Sequence, residues 1–67
     1  MMQDRTWIWF VATVVTESDK AIKLSTDTTE AWIPYKLLKA HDDDLVAGNT
    51  MRVAVPIWLA RKKGFVH

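Results

Sequence analysis

The sequence predicts a mainly β domain: a small SH3-like or reduced OB-like barrel of four or five strands with a short C-terminal helix. Three observations predict it. Residues 6–16 are rich in β-branched and aromatic side chains and contain no Gly or Pro. Shorter alternating runs follow at 21–26, 30–35 and 51–55, with polar turn segments between them. A proline and a glycine then frame a two-turn helix at 56–63.

The first run is apolar on both alternating faces. Trp7, Trp9, Val11 and Val15 share one, and Ile8, Phe10, Ala12 and Val14 the other. A strand of this kind lies centrally, sits in a barrel, or turns one face to a partner. Glu17-Ser18-Asp19-Lys20 supplies a turn, and 21–26 alternates Ile22 and Leu24 against Lys23 and Ser25, completing a β-hairpin. Asp27-Thr28-Thr29 turns again into a third strand, EAWIPY, which Pro34 ends because it donates no ladder hydrogen bond. Residues 36–40 read as a helical turn with Leu37 and Leu38 inward. Residues 41–49 form a polar loop, with one helical turn expected at 45–47.

Met51, Val53 and Val55 alternate with Arg52 and Ala54 as a fourth strand. Pro56 suits the first position of a helix, Arg61, Lys62 and Lys63 fill its last turn, and Gly64 stands where a left-handed cap is needed. Phe65 is expected to pack back on Leu59 or Ala60, and 65–67 to add a short closing strand.

Sixty-seven residues make one domain, 1–67. A chain this short buries only about 60% of the surface its unfolded form exposes, and it has no Cys for a disulfide or a thiolate zinc site. Its substitute is apolar mass, 49% hydrophobic residues with four Trp, a share that favours burial against a partner or a second copy. The run 7–15 is preceded by Asp4 and Arg5, has no small-x-small cleavage site and is too short to cross a bilayer, so it reads as a strand and not a targeting segment. No membrane association is expected. The absence of Cys fits a reducing compartment, the cytoplasm.

Catalytic chemistry finds little to use. The only glycines, Gly48 and Gly64, stand in no phosphate-binding loop. His41 lies in the polar loop, His67 is terminal, and Ser18 and Ser25 flank the hairpin, so no nucleophile and base are placed together. No catalytic residue, cofactor or metal is expected. The run His41-Asp42-Asp43-Asp44 has contiguous carboxylates that diverge, without the alternate spacing and distal Glu of a calcium loop. It reads as a solvated loop whose Asp residues cap a helical turn.

Several segments carry a resemblance. Glu17, Lys20-Ala21-Ile22, Trp32-Ile33-Pro34, and the run from Val55 to Phe65 (VPIWLARKKGF) resemble a group of short phage and bacterial proteins. Their shared skeleton runs E-T/S-x-K-A-I, W-I-P, and P-x-W-L-A-x-K-K-G-hydrophobic. It covers most of the chain from Val15 onward. The resemblance implies a phage-type origin, hence host cytoplasm, and a small-barrel fold. Through the replication or recombination genes that accompany some members, it also implies nucleic-acid association. Tyr35 replaces the charged residue usual after W-I-P.

A binding surface is the remaining expectation. Trp7, Trp9 and Tyr35, with Lys20, Lys23, Lys36, Arg52, Arg61 and Lys62 around them, are the residue types that stack on bases and track a phosphate backbone. The same aromatic residues also suit the core, where large aromatics in a small barrel usually lie, Trp7 and Trp9 having the strongest case for exposure. A net charge of +1 and a pI of about 8.1 fall short of the basic footprint of a dedicated duplex binder. Two functions follow: a non-catalytic module acting by protein–protein interaction or self-association, or a non-specific binder of single-stranded nucleic acid.

Overall fold

A computed structural model describes residues 6–66. Five strands, β1 (Trp7–Glu17), β2 (Ala21–Ser25), β3 (Glu30–Pro34), β4 (Ala40–His41) and β5 (Thr50–Pro56), form one antiparallel sheet in the order β3-β2-β1-β5-β4. A 3-10 turn, Tyr35–Leu37, links β3 to β4, and an α-helix, α1 (Ile57–Lys63), follows β5 directly. The chain is mainly β with a short C-terminal helix. The outer strands β3 and β4 are not hydrogen-bonded to each other, so the sheet is open.

Period-two alternation decides which side chains go inside. On β1, Ile8, Phe10, Ala12 and Val14 turn inward, while Trp7, Trp9 and Val11 turn out. The inner face meets Ile22 and Leu24 of β2, Ile33 of β3, Met51, Val53 and Val55 of β5, and Leu59, Ala60 and Phe65 from the C-terminal end. Six aliphatic side chains, Val14, Ile22, Leu24, Ile33, Val53 and Val55, are fully buried, each worth about 1.5–3 kcal/mol. The expectation that large aromatics fill the core is overturned for Trp32 and Trp58, and Trp7 and Trp9, which had the strongest case for exposure, also lie outside it. Trp7, Trp9, Trp32 and Trp58 are 50%, 45%, 41% and 45% exposed, because each sits on the opposite face from inward aliphatic neighbours.

The β1–β2 hairpin forms with its turn at 18–20. Register shifts by one residue between Val14 and Thr16, a bulge that leaves Val15 and Thr16 both exposed. Leu37 and Leu38 pack against the core as expected.

Three local expectations are corrected. No helical turn forms at 45–47. Gly48 at φ 97 reverses the chain so that its N–H reaches the Val14 carbonyl, while the Val14 N–H reaches the Asn49 carbonyl. Pro56 is the N-cap and not the first helical residue, because it still pairs with Trp7 as the last residue of β5. No closing strand forms at 65–66, since the N–H groups of Phe65 and Val66 both turn back to the Ala60 carbonyl. His67 lies outside the described residues. Gly64, at φ 84, supplies the left-handed cap, and the buried Phe65 ring stacks on Phe10 at 4.8 Å. That stack anchors the chain end to β1.

Candidate interaction surface

The outward face of the sheet is built by the same alternation that fills the core. Register places Trp9 beside Ala54, Val11 beside Arg52, and Thr13 between Thr50 and Ser25. Beyond the bulge, Lys23 pairs with Thr16 on one side and with Trp32 on the other. Trp7, Trp9, Val11 and Trp32 are therefore exposed on one side of one sheet, with Val11 59% accessible. Thr13 and Thr50 hydroxyls share a 2.7 Å hydrogen bond across the centre of this face.

Among the described residues, each cation on the face already has a carboxylate. The Arg52 guanidinium carbon lies 5.2 Å from the Trp9 ring centroid, and Arg52 Nε donates to Asp42 Oδ2 at 2.8 Å. The hydrogen bond to Asp42 holds Arg52 charged still more firmly than usual. Lys23 Nζ lies 3.8 Å from Glu30 Oε1. Both pairs are solvent-exposed, so they shape the local field more than they stabilise the fold. The result is an aromatic face with its positive charge matched.

The remaining sequence-predicted residues are distributed elsewhere. Lys20, Tyr35 and Lys36 come together with Asp19 and Pro34 around a shallow hollow beside the β1–β2 turn. There the Tyr35 hydroxyl donates to Glu17 Oε1, and that bond, with partial burial and the adjacent carboxylate charge, pushes the phenol up to about 12. Arg61 and Lys62 belong to the last turn of α1. They follow the exposed Trp58 by three and four residues, which places all three on one flank of the helix. The structure thus joins Trp7, Trp9, Lys23 and Arg52 on one sheet face and leaves the other five residues outside it.

Val11 and Trp32 belong to the face but were missing from the sequence-derived set. The signal for both is alternation: Val11 shares the parity of Trp7 and Trp9, and Trp32 precedes the inward Ile33. Their exposure needed strand order, because only the pairing of β2 with both β1 and β3 shows that the two parities point to the same side.

The polar loop has local partners for two of its three Asp side chains. Asp42 holds Arg52, Asp43 accepts the N–H of Asp44, and His41 Nδ1 lies 2.8 Å from the Asp43 carbonyl oxygen. Among the described residues no three His, Asp or Glu side chains converge on a common point. Ser18 Oγ is engaged within its own turn, by the N–H and carbonyl of Ala21. No helix of the described residues is long and apolar enough to cross a membrane. Comparison with known protein families, curated proteins and solved structures finds no match for this chain.

Proposed function

We infer that this chain is a non-catalytic protein-interaction module whose contact surface is the sheet face bearing Trp7, Trp9, Val11 and Trp32. One observation carries the reading: the face is aromatic and exposed, yet its two cations among the described residues, Arg52 and Lys23, are matched by Asp42 and Glu30. Aromatic residues and Arg enrich protein interfaces, where they bury large area at low entropic cost. A surface tracking a phosphate backbone needs uncommitted positive charge. The phage-type accessory role and the cytoplasmic setting are supported by the sequence motifs. The small-barrel reading of the fold, SH3-like or reduced OB-like, is supported by the meandering strand order and the capped terminal helix.

The alternative, non-specific binding of single-stranded nucleic acid, draws on the same rings, on Lys20 and Lys36 beside Tyr35, and on Arg61 and Lys62 beside Trp58 as sources of charge. A titration with a fluorescent oligonucleotide at two salt concentrations separates the two. The interaction reading expects no binding at low salt. Trp quenching together with affinity that falls as salt rises would replace it with the nucleic-acid reading.

A further inference from the structure

β1 has eleven residues and β2 only five, and β2 pairs β1 from Thr13 onward. Among the described residues, the other half of β1 therefore has a neighbour on one side only. Ile57 donates to the Thr6 carbonyl at one end of the β1–β5 ladder, and Val14 exchanges bonds with residues 48 and 49 at the other. With the unbroken register between them, this assigns the backbone groups of the even residues Ile8, Phe10 and Ala12 to β5. The N–H and C=O groups of Trp7, Trp9 and Val11 point the opposite way. Among the described residues nothing pairs with them. A cleft of about 450 Å³ opens beside this edge, bounded by β1 residues 10–13, the turn at 26–28, and Phe65.

Exposed strand edges invite strand addition, and proteins blunt them with proline, charge, bulges or shortness. The other edges here are blunted. β3 carries Pro34 and Glu30, and β4 is two residues long. Residues 7–11, WIWFV, carry no charge, no proline and no bulge.

We propose that a second copy of this chain covers the edge, the two β1 strands pairing antiparallel about a two-fold axis at Trp9. The bare run is self-complementary under that operation. Trp9 exchanges both of its bonds with the other Trp9, and Trp7 exchanges bonds with Val11 at each end. Side chains opposite one another share a face, so Trp7, Trp9 and Val11 of both copies form one apolar strip. The paired residues 7–11 bring no like charges together across the seam. The exposed area on three residues per copy is small beside the roughly 1,200 Å² of a stable interface, so the dimer is weak and concentration-dependent. This proposal rests on the interaction reading above and names its partner.

The test is sedimentation equilibrium of the full chain over a wide concentration range, on wild type, Val11→Pro and Trp9→Lys. Val11 faces away from the β5 ladder, so proline there removes the edge donor without breaking a bond to β5. Val11→Pro is expected to weaken the dimer at least roughly tenfold, since symmetry removes two hydrogen bonds. Trp9→Lys is expected to weaken it as well, by setting two like charges opposite each other at the axis in place of two rings. Backbone amide exchange on wild type gives a second readout that needs no variant: Trp7, Trp9 and Val11 should gain protection as concentration rises. A chain that stays monomeric at the highest concentration, with those amides unprotected, overturns the proposal. A dimer broken by Trp9→Lys but not by Val11→Pro, with the three amides still exchanging freely, overturns the edge pairing and leaves the face reading standing. Salt-sensitive oligonucleotide binding by a monomer overturns both.

Discussion

Arg52 lies over the Trp9 ring, 5.2 Å from its centroid, while its Nε donates to Asp42 at 2.8 Å. A ring, a cation and a carboxylate are thus stacked in series across two strands and a loop. The carboxylate decides what the surface attracts. With Asp42 in place the guanidinium is neutralised, and the Trp9 surface offers area more than charge.

Removing that carboxylate should change partner preference without changing the fold. Asp42→Asn leaves an exposed loop position and frees Arg52. It should raise oligonucleotide affinity measurably at low salt, and the gain should vanish at high salt because it is one added phosphate contact. The melting temperature should stay close to that of wild type, since exposed ion pairs contribute little. Fluorescence anisotropy at two salt concentrations, with a thermal melt alongside, reads both quantities. An unchanged affinity would mean that Asp42 does not set the charge of this face.

The positions of four of the five strands and the left-handed stop of the helix were legible in the sequence for a local reason, while the order of the strands in the sheet was not. Alternation at 7–15, the prolines Pro34 and Pro56, and the glycine Gly64 each act through their own backbone. The fate of the Trp residues was not legible in the same way. Apolar character on both faces of β1 is equally compatible with a double-sided core and with a sticky outer face. Only the placement of α1 and Phe65 against the Ile8–Phe10 side settles which one is covered. The absence of a helical turn at 45–47 depends likewise on a distant partner, Val14, whose carbonyl draws the Gly48 N–H.

The same division predicts unequal mutational costs. Ile33 is fully buried and Trp32, its neighbour in sequence, is not. Ile33→Ala should cost about 2–5 kcal/mol, which approaches the whole stability of a domain at the low end of the usual range. Trp32→Ser, on the open face, should cost far less despite removing a larger side chain. Urea unfolding followed by far-UV circular dichroism gives both values. A cost for Trp32→Ser equal to that of Ile33→Ala would contradict the assignment of faces.

Gly64 tests the helix stop. A Cβ added there would sit 3.7 Å from the Thr29 hydroxyl, ordinary contact, so space is not the obstacle. The obstacle is φ at 84, where a side chain costs about 1–2 kcal/mol. Gly64→Ala should lose that amount, and Gly64→Asn less, because Asn tolerates the left-handed region best after Gly. Equal stability of all three forms would show that the cap is not held in this conformation.

Tyr35 gives a titration with an unambiguous assignment, because the chain contains one Tyr. Its phenol is pushed up to about 12 from 10.0, first by its hydrogen bond to Glu17, then by partial burial and the Glu17 charge. The folded state holds the proton more tightly than the unfolded one. The contribution to stability is therefore fully present below pH 10.0, and it is lost as pH rises from there through about 12. Phenolate absorbance should show a midpoint near 12 in the wild-type chain and one closer to 10.0 in Glu17→Gln, where the charge is gone. Phe at position 35 would remove the signal and flatten the alkaline loss of stability. A wild-type midpoint at 10.0 would mean that the bond between β1 and the 3-10 turn is not formed in solution.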